Sequence, residues 1–463
     1  MKCTNNEFFS IAINIESASF DKRVLECDKV SMLIIHDLSQ SEWWEKSNDD
    51  RVISQSTILQ NKSYNALLNN ILETDKGFLS LLKCFLSDYN TYHIFERKYS
   101  VKSLFELDSK AAQIFIQCYH WLKHKKIDLF ITHDTPHSPV DFTFSKCAEL
   151  LSIPIYNFRA GAIPWRVKIF ENLGESSKLL KYSFYPKDID LDSNVHSYLS
   201  SLKADYNNAV PSYEKERLIR NNNKIWNWKT EFSSWVKWKF NLKKLLGIIA
   251  KKYSFDKLQK LWTIPSPDDC YVAFYLHLQP ERTTCPEGDI FNTPIIALNF
   301  LRALVPLHIK IFVREHPSTY TYVFNSKTRP NSFYDEIIKL PNTHLSSLEQ
   351  DSFSFLDNSL FTSTITGTIA FGSAVRKKKC LYFGDAFFKG CPNTYHINEV
   401  LENENILSEL LSEKKFDDSQ IQIFIEEEFR YSYGSLDANE QFADYSPFQR
   451  NWIESLCIFL KSI

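Results

Sequence analysis

The stretch Tyr271–Asn393 constrains the fold most. In it short apolar runs alternate with helix-like runs, and each apolar run ends in polar residues. The runs are YVAFYLHLQPE (Tyr271–Glu281), IKIFVREHP (Ile309–Pro317), LFTSTITGTIAFGSA (Leu360–Ala374) and KCLYFGD (Lys379–Asp385). YVAFYLHLQ, HIKIFV, THLSS, LFTSTIT and KCLYFG read as strands, while TPIIALNFLRAL, FYDEIIKL, SFSFLDN and TIAFGSAVRK read as helices. This alternation predicts a Rossmann-like α/β domain, and such open sheets bind ligands at the carboxyl ends of their strands. Glycine usage agrees. The chain has only 10 glycines, far below the usual share of about 7%, yet Gly367, Gly372, Gly384 and Gly390 fall close together here. A chain so sparing with glycine places it where backbone turns tightly or approaches a ligand.

The first half repeats the pattern more weakly. VSMLII (Val30–Ile35) is a short apolar run ending in His36-Asp37. Residues 43–125 read as mainly helical. IDLFIT (Ile127–Thr132), the helix-like FSKCAELLSI and IPIYNF (Ile153–Phe158) then form a strand–helix–strand unit. Its tips carry His133, Asp134, His137, Arg159 and Arg166. Two readings stand side by side. In one, His137 and Asp141 cap the helix that follows. In the other, both tips face a cleft between two domains and hold a sugar or carboxylate, with Arg159 and Arg166 suited to an anion by their planar fork.

A length of 463 residues asks for two cores. The expected division is an acceptor-side domain at 1–215, a connector at 216–266, a nucleotide-binding domain at 267–420 and terminal helices at 421–463. The terminal helix, opened by Ser446-Pro447 as N-cap and N1, is expected to pack back on the first domain by analogy with two-domain folds of this kind. Net charge is −2, which gives no overall attraction to nucleic acid. The amino-terminal residues lack a basic region followed by a long apolar run, and no run reaches the ~18–20 apolar residues of a membrane span. The ten cysteines are scattered with no CxxC pair, the pattern of reduced thiols. His133 and His137 are the one close histidine pair and lack companions at ligand spacing, so no metal site is expected.

The connector Lys224–Trp262 carries Trp226, Trp228, Trp235, Trp238 and Trp262 among many lysines. It reads as a basic amphipathic segment for an anionic membrane surface. The alternative is a helical connector whose tryptophans pack on the sheet domains and whose lysines stay in water.

Two corners carry the candidate chemistry. Arg314-Glu315-His316-Pro317 places a cation, a carboxylate and an imidazole at one strand tip. Thr366-Gly367-Thr368 sits between a strand and a helix, where free backbone N–H groups favour an anion. Thr368 as a simple N-cap is the other reading.

Together and in order, FYLHLQPE, VREHP, TITGT and LYFGD resemble bacterial capsule polysaccharide biosynthesis proteins, relatives of the retaining β-Kdo glycosyltransferases. THDTPHSPVDFTFSKCAELLSIPIYNF resembles the first domain of that group. The likeness covers roughly residues 127–166 and 270–395 and implies a GT-B-like architecture: two Rossmann-like domains facing a central cleft, joined by a helical connector. It implies transfer of a sugar, such as the ulosonic acid Kdo, from a CMP-activated donor to a glycan or glycolipid acceptor, at the inner face of the membrane, with no metal or further cofactor. Under it His316 contacts the donor phosphate, with Arg314 beside it. Thr366, Gly367 and Thr368 add phosphate contacts, and Gln279 faces the donor. Glu281, Glu315 and His316 are the candidate catalytic groups; Asp134, His137, Arg159 and Arg166 are the candidate substrate contacts. Family members usually carry a Glu in the helix after TGT that grips the ribose. Here Gly372-Ser373-Ala374 stands in its place and leaves Ser373 as the nucleotide contact. Glycerophosphotransferases, UDP-sugar 2-epimerases and non-catalytic glycan- or partner-binding proteins share the same layout as alternatives.

Overall fold

Short strands buried on both faces build both sheets of the chain. The computed structural model describes residues 10–15, 22–35, 49–60, 64–99, 103–163, 166–185, 191–204, 231, 233, 235, 242–321, 324–412, 418–434 and 446–463. His36-Asp37, Asn221–Asn223, Trp226, Trp228 and Trp238 lie outside them. The chain divides into two compact units: Met1–Ile189 with Glu428–Leu436 and Asp444–Ile463, and Asp190–Glu427 with Asp437–Ala443. The basic stretch expected as a separate connector is not a unit of its own, since its described helix Leu242–Leu261 falls in the second unit.

The strands of the first unit are β1 (Ile11–Ile15), β2 (Val30–Ile35), β3 (Val52–Ser54), β4 (Leu129–His133), β5 (Ile155–Ala160), β6 (Val167–Glu171) and β7 (Lys178–Leu179). Those of the second are β8 (Trp262–Thr263), β9 (Tyr271–Tyr275), β10 (Lys310–Arg314), β11 (Thr343–Ser346), β12 (Thr362–Thr364), β13 (Cys380–Tyr382) and β14 (Thr394–His396); β15 (Ser432–Tyr433) returns to the first.

In the first unit the order is β15-β6-β5-β4-β1-β2-β3, with β7 on β6. The β1–β5 pairings are parallel, and β6 runs antiparallel to β5 and β15. The sequence reading did not find β1 or β6. β1 (IAINI) is wholly buried, as a strand inside a parallel sheet must be. Along β4, Leu129 and Ile131 face a cluster with Trp452, Leu456 and Phe459 of the terminal helix, while Phe130 meets Phe144 of the Pro139–Leu150 helix on the other face. The terminal helix Ser446–Ser462 therefore closes one face of this sheet. Each fully buried large apolar side chain there contributes roughly 1.5–3 kcal/mol.

In the second unit every pairing is parallel, in the order β14-β13-β12-β9-β10-β11-β8. Val272 and Phe274 of β9 join Ile311 and Val313 of β10 in the main core, whereas Tyr271 and Ala273 join Phe312 and Phe355 on the opposite face. The expected strand YVAFYLHLQ is shorter than read: pairing stops at Tyr275, and Leu276–Gln279 continues past the sheet edge. Trp262 stacks edge-on against Phe255 and packs on the core, so this tryptophan of the connector is structural.

Candidate functional site

β9 is the centre of the second unit's site. β10 and β11 lie to one side of it and β12, β13 and β14 to the other, so the chain reverses direction between β9 and β12. That is the switch point at which open parallel sheets bind ligands. The Arg314–Pro317 corner follows β10 and the Thr366–Thr368 corner follows β12. Both leave the same carboxyl edge, on the two neighbours of β9, roughly 10 Å apart at normal strand spacing.

A buried ion pair ties the β9 and β10 tips together. Glu315, 1% exposed, accepts from Arg329 Nε at 2.6 Å and Nη2 at 2.9 Å. It also accepts from the Tyr334 hydroxyl at 2.7 Å, the Thr319 hydroxyl at 3.1 Å and the His316 N–H at 2.8 Å. Burial pushes its carboxyl up, but the Arg329 charge and these donors together hold it below the usual range. Arg329 also donates to the His277 carbonyl at 2.9 Å and to Gln279 Oε1 at 2.6 Å. Gln279 Nε2 in turn donates to the Asn292 carbonyl at 2.7 Å.

Glu315 and Gln279, expected as a catalytic group and a nucleotide contact, are thus occupied as internal braces. Arg314 is another: it donates to the Ser347 and Gln350 carbonyls and to Ser352 Oγ at 2.8–3.0 Å and stacks over Phe355. His316 is half-buried. Its Nδ1 accepts the Ser318 N–H at 3.1 Å, which leaves the proton of the neutral ring on Nε2 as a donor.

His277 links β9 to the second corner, and the sequence reading passed over it although it lies inside the quoted run YVAFYLHLQPE. Its Nε2 accepts the Thr366 N–H at 3.1 Å. Burial, reinforced by the charges of His316 and Arg329, pushes the imidazole down to about 3. The ring is therefore neutral with its proton on Nδ1, a buried atom with no hydrogen-bond partner among the described residues.

Thr366 is 1% exposed, and its hydroxyl donates to the Thr283 carbonyl, so both its polar groups are internal. Gly367 permits the close approach: a Cβ there would lie 2.7 Å from Thr364 Oγ1 and 3.3 Å from His277 Nε2. Thr368 is exposed and stands at the N-cap of the next helix, but its side chain makes no capping bond, which leaves its hydroxyl as the outward group of this corner. Glu281 is half-buried in the loop after β9, where Oε2 accepts from Thr283 Oγ1 at 3.2 Å.

The helix Ile369–Val375 settles the position of Ser373. Its hydroxyl donates to the Ile369 carbonyl and accepts from Thr362 Oγ1, both at 2.7 Å, and it is fully buried. Ser373 faces the sheet and is no nucleotide contact. Gly372 is the outward residue, with open space where a Cβ would stand. Its φ is not positive, so Gly372→Ala is expected to stabilise the chain by about 0.5–1 kcal/mol. Urea unfolding checks this, and a destabilised variant would refute it.

The first unit places its four expected contacts differently. Asp134, with φ +56°, ends β4 and accepts the Thr135 N–H at 3.0 Å. His137 Nδ1 lies 3.0 Å from the Thr135 carbonyl. Asp141, in the first turn of the Pro139–Leu150 helix, accepts the His137 N–H at 3.2 Å and the Phe142 N–H at 2.8 Å, while Ser138 holds the N-cap position. Arg159 is buried in β5 over the Phe170 ring at 4.2 Å.

Arg166 is no anion contact. Its guanidinium donates to Ser432 Oγ and to the Phe429, Ser432 and Gly434 carbonyls at 2.7–3.0 Å, tying the returning chain to β6. Lys168 and Glu428 form a buried ion pair beside it, and Glu428 also accepts the Ala162 N–H at 2.9 Å. Among the described residues no group of three or more His, Cys, Asp or Glu side chains is placed to hold a metal ion, and no helix is long and apolar enough to cross a membrane.

No protein-family model and no curated protein matches the chain. Among solved structures it is similar to the KpsC beta Kdo 2,7 transferase of Thermosulfurimonas dismutans, at 12% identity over 78% of this chain and 95% of that one, TM-score 0.32. It is also similar to a UDP-GlcNAc 2-epimerase of Methanocaldococcus jannaschii, at 10% identity over 90% and 99%, TM-score 0.25. A glycosyltransferase of Rickettsia africae matches at 12% identity over 99% and 100%, TM-score 0.27. The group that the motifs resemble is represented among these structures. With every one of these scores below 0.5, the fold assignment rests on the strand order and register of the chain itself.

Proposed function

We propose that this protein is a glycosyltransferase that takes a sugar from a CMP-activated donor, an ulosonic acid such as Kdo, and passes it to a glycan or glycolipid acceptor in surface polysaccharide synthesis. The observation that carries the reading is the placement of the His316 and Thr366–Thr368 corners on either side of β9, at the reversal point of a parallel sheet. In the reaction the bond from the anomeric carbon to the phosphate oxygen breaks and a bond to an acceptor hydroxyl forms. The nucleotide phosphate leaves with the bonding electrons, and the acceptor proton passes to a base.

His316 Nε2–H would donate to the departing phosphate, a role that needs a positioned donor more than a strong acid. Thr368 Oγ1 would add a second contact, and Glu281 is the carboxylate at hand for the acceptor proton. Glu315, Arg329 and His277 would position these groups without touching the donor phosphate. In this reading Asp134 and His137 serve the acceptor.

The expected result is that His316→Ala keeps its fold and binds CMP at least about 10-fold more weakly than the parent, from loss of a hydrogen bond to a charged group. Titration calorimetry with CMP, CMP-Kdo and UDP-GlcNAc is the test. A parent protein that binds none of them, or that binds UDP-GlcNAc in preference, overturns the CMP assignment.

One observation favours a second reading, an epimerase-like or non-catalytic protein. Ser373 is turned into the core and Gly372 is bare, so the helix after TGT offers no carboxylate to a ribose. Preference for UDP-GlcNAc, or binding without turnover, is the outcome that selects it.

A further inference from the structure

The helix Leu242–Leu261 is pinned on one face and uncovered on the other. Inward, Phe255 and Leu258 enter the core, and Ser254 meets the Tyr320 hydroxyl at 2.9 Å. Lys251 is buried in an ion pair with Glu231. Outward, Leu242, Leu246, Ile249 and Tyr253 are 72%, 62%, 55% and 54% exposed. Their spacing of four, three and four residues sets them in one line, about 16 Å long at the helical rise. Four large apolar side chains in a row, each more than half exposed, form an interaction surface rather than the scattered exposure usual in proteins.

Charge selects the occupant. Lys224–Trp262 holds ten lysines against two acids in a chain of net charge −2, so this stretch of sequence is basic although the chain as a whole is not. Lys252 and Lys260 are exposed on the helix itself. A second copy laid line to line would set lysines against lysines, which repel. An anionic bilayer surface matches both features, with headgroups on the lysines and the apolar line at the acyl boundary.

We propose that Leu242, Leu246, Ile249 and Tyr253 dock this protein on an anionic lipid surface. The inference supplies the membrane contact of the proposed function but does not need its nucleotide chemistry. The test is co-sedimentation of the full chain with phosphatidylcholine vesicles, with and without phosphatidylglycerol, alongside the double variant Leu246→Glu, Ile249→Glu. Both positions are exposed, so the variant leaves the core intact.

The expected result is binding to the phosphatidylglycerol vesicles that weakens as salt screens the lysines, and partitioning of the variant on the order of 10–100-fold weaker. A parent protein left in the supernatant, a variant that partitions equally, or a parent dimer that the variant dissolves without any vesicle binding overturns the proposal. CMP binding, measured on the same samples without vesicles, separates this failure from failure of the transferase reading: the variant retains it if the line acts only in docking.

Discussion

Replacing Arg329 by Met is expected to lower the stability of the second unit by about 3–5 kcal/mol, the scale for removing one partner of a buried ion pair. The variant leaves Glu315, 1% exposed, with its charge unpaired. It also frees the His277 carbonyl and Gln279 Oε1, which Arg329 holds. These bonds are what fasten the β9 tip to the β10 tip, so CMP affinity is expected to fall as well, although Arg329 would touch no part of the nucleotide. The double variant Glu315→Gln, Arg329→Met should recover part of the stability, because it buries no net charge, while affinity stays low. Urea unfolding followed by a probe in the second unit measures both. A loss below about 1 kcal/mol for the single variant, in the range of exposed pairs, would show that the pair is solvated and sink the account of Glu315 as a brace.

β9, β10 and β13 of the second unit were legible because each is a short apolar run closed by a polar tip; in β9 Val272 and Phe274 face one way, Tyr271 and Ala273 the other. β14 escaped because Thr394–His396 is a three-residue edge strand with no apolar pattern. β1 escaped because IAINI lies in a polar context with no turn signal before it. The site was legible as a place and not as a set of roles. Sequence shows which residue types gather at a strand tip, but not which of their atoms already bind one another. Glu315, Arg314, Gln279 and Thr366 all reached the expected edge, and all four direct polar groups inward. The partners that turned them are distant in sequence: Arg329 lies fifty residues from Gln279, in a loop that carries no periodic signal. Arg166 was misread for the same reason, since the carbonyls it serves lie more than 260 residues later.

His277 makes the second unit acid-sensitive in a defined window. An unfolded histidine titrates near 6.5, while burial and the neighbouring His316 and Arg329 charges hold the folded imidazole at about 3. The folded state refuses a proton that the unfolded state takes. Its contribution to stability is therefore complete above about pH 6.5 and is lost as pH falls toward about 3. The loss is on the order of 2 kcal/mol at pH 5 and 4–5 kcal/mol at the end of the window. Glu315, whose carboxyl is held low, gives way only below the ordinary carboxylate range, so pH 5 to 6.5 isolates histidine. His344 of the same unit is also held low by burial, and a difference between variants removes its share. In His277→Gln the side-chain oxygen can still accept the Thr366 N–H but nothing titrates. The variant should lose about 2 kcal/mol less than the parent between pH 7.5 and pH 5, read from urea midpoints of the second unit. Identical pH dependence in the two proteins would mean that the ring is solvated in the folded state. The bond that holds the Thr366–Thr368 corner to β9 would then not be the one described.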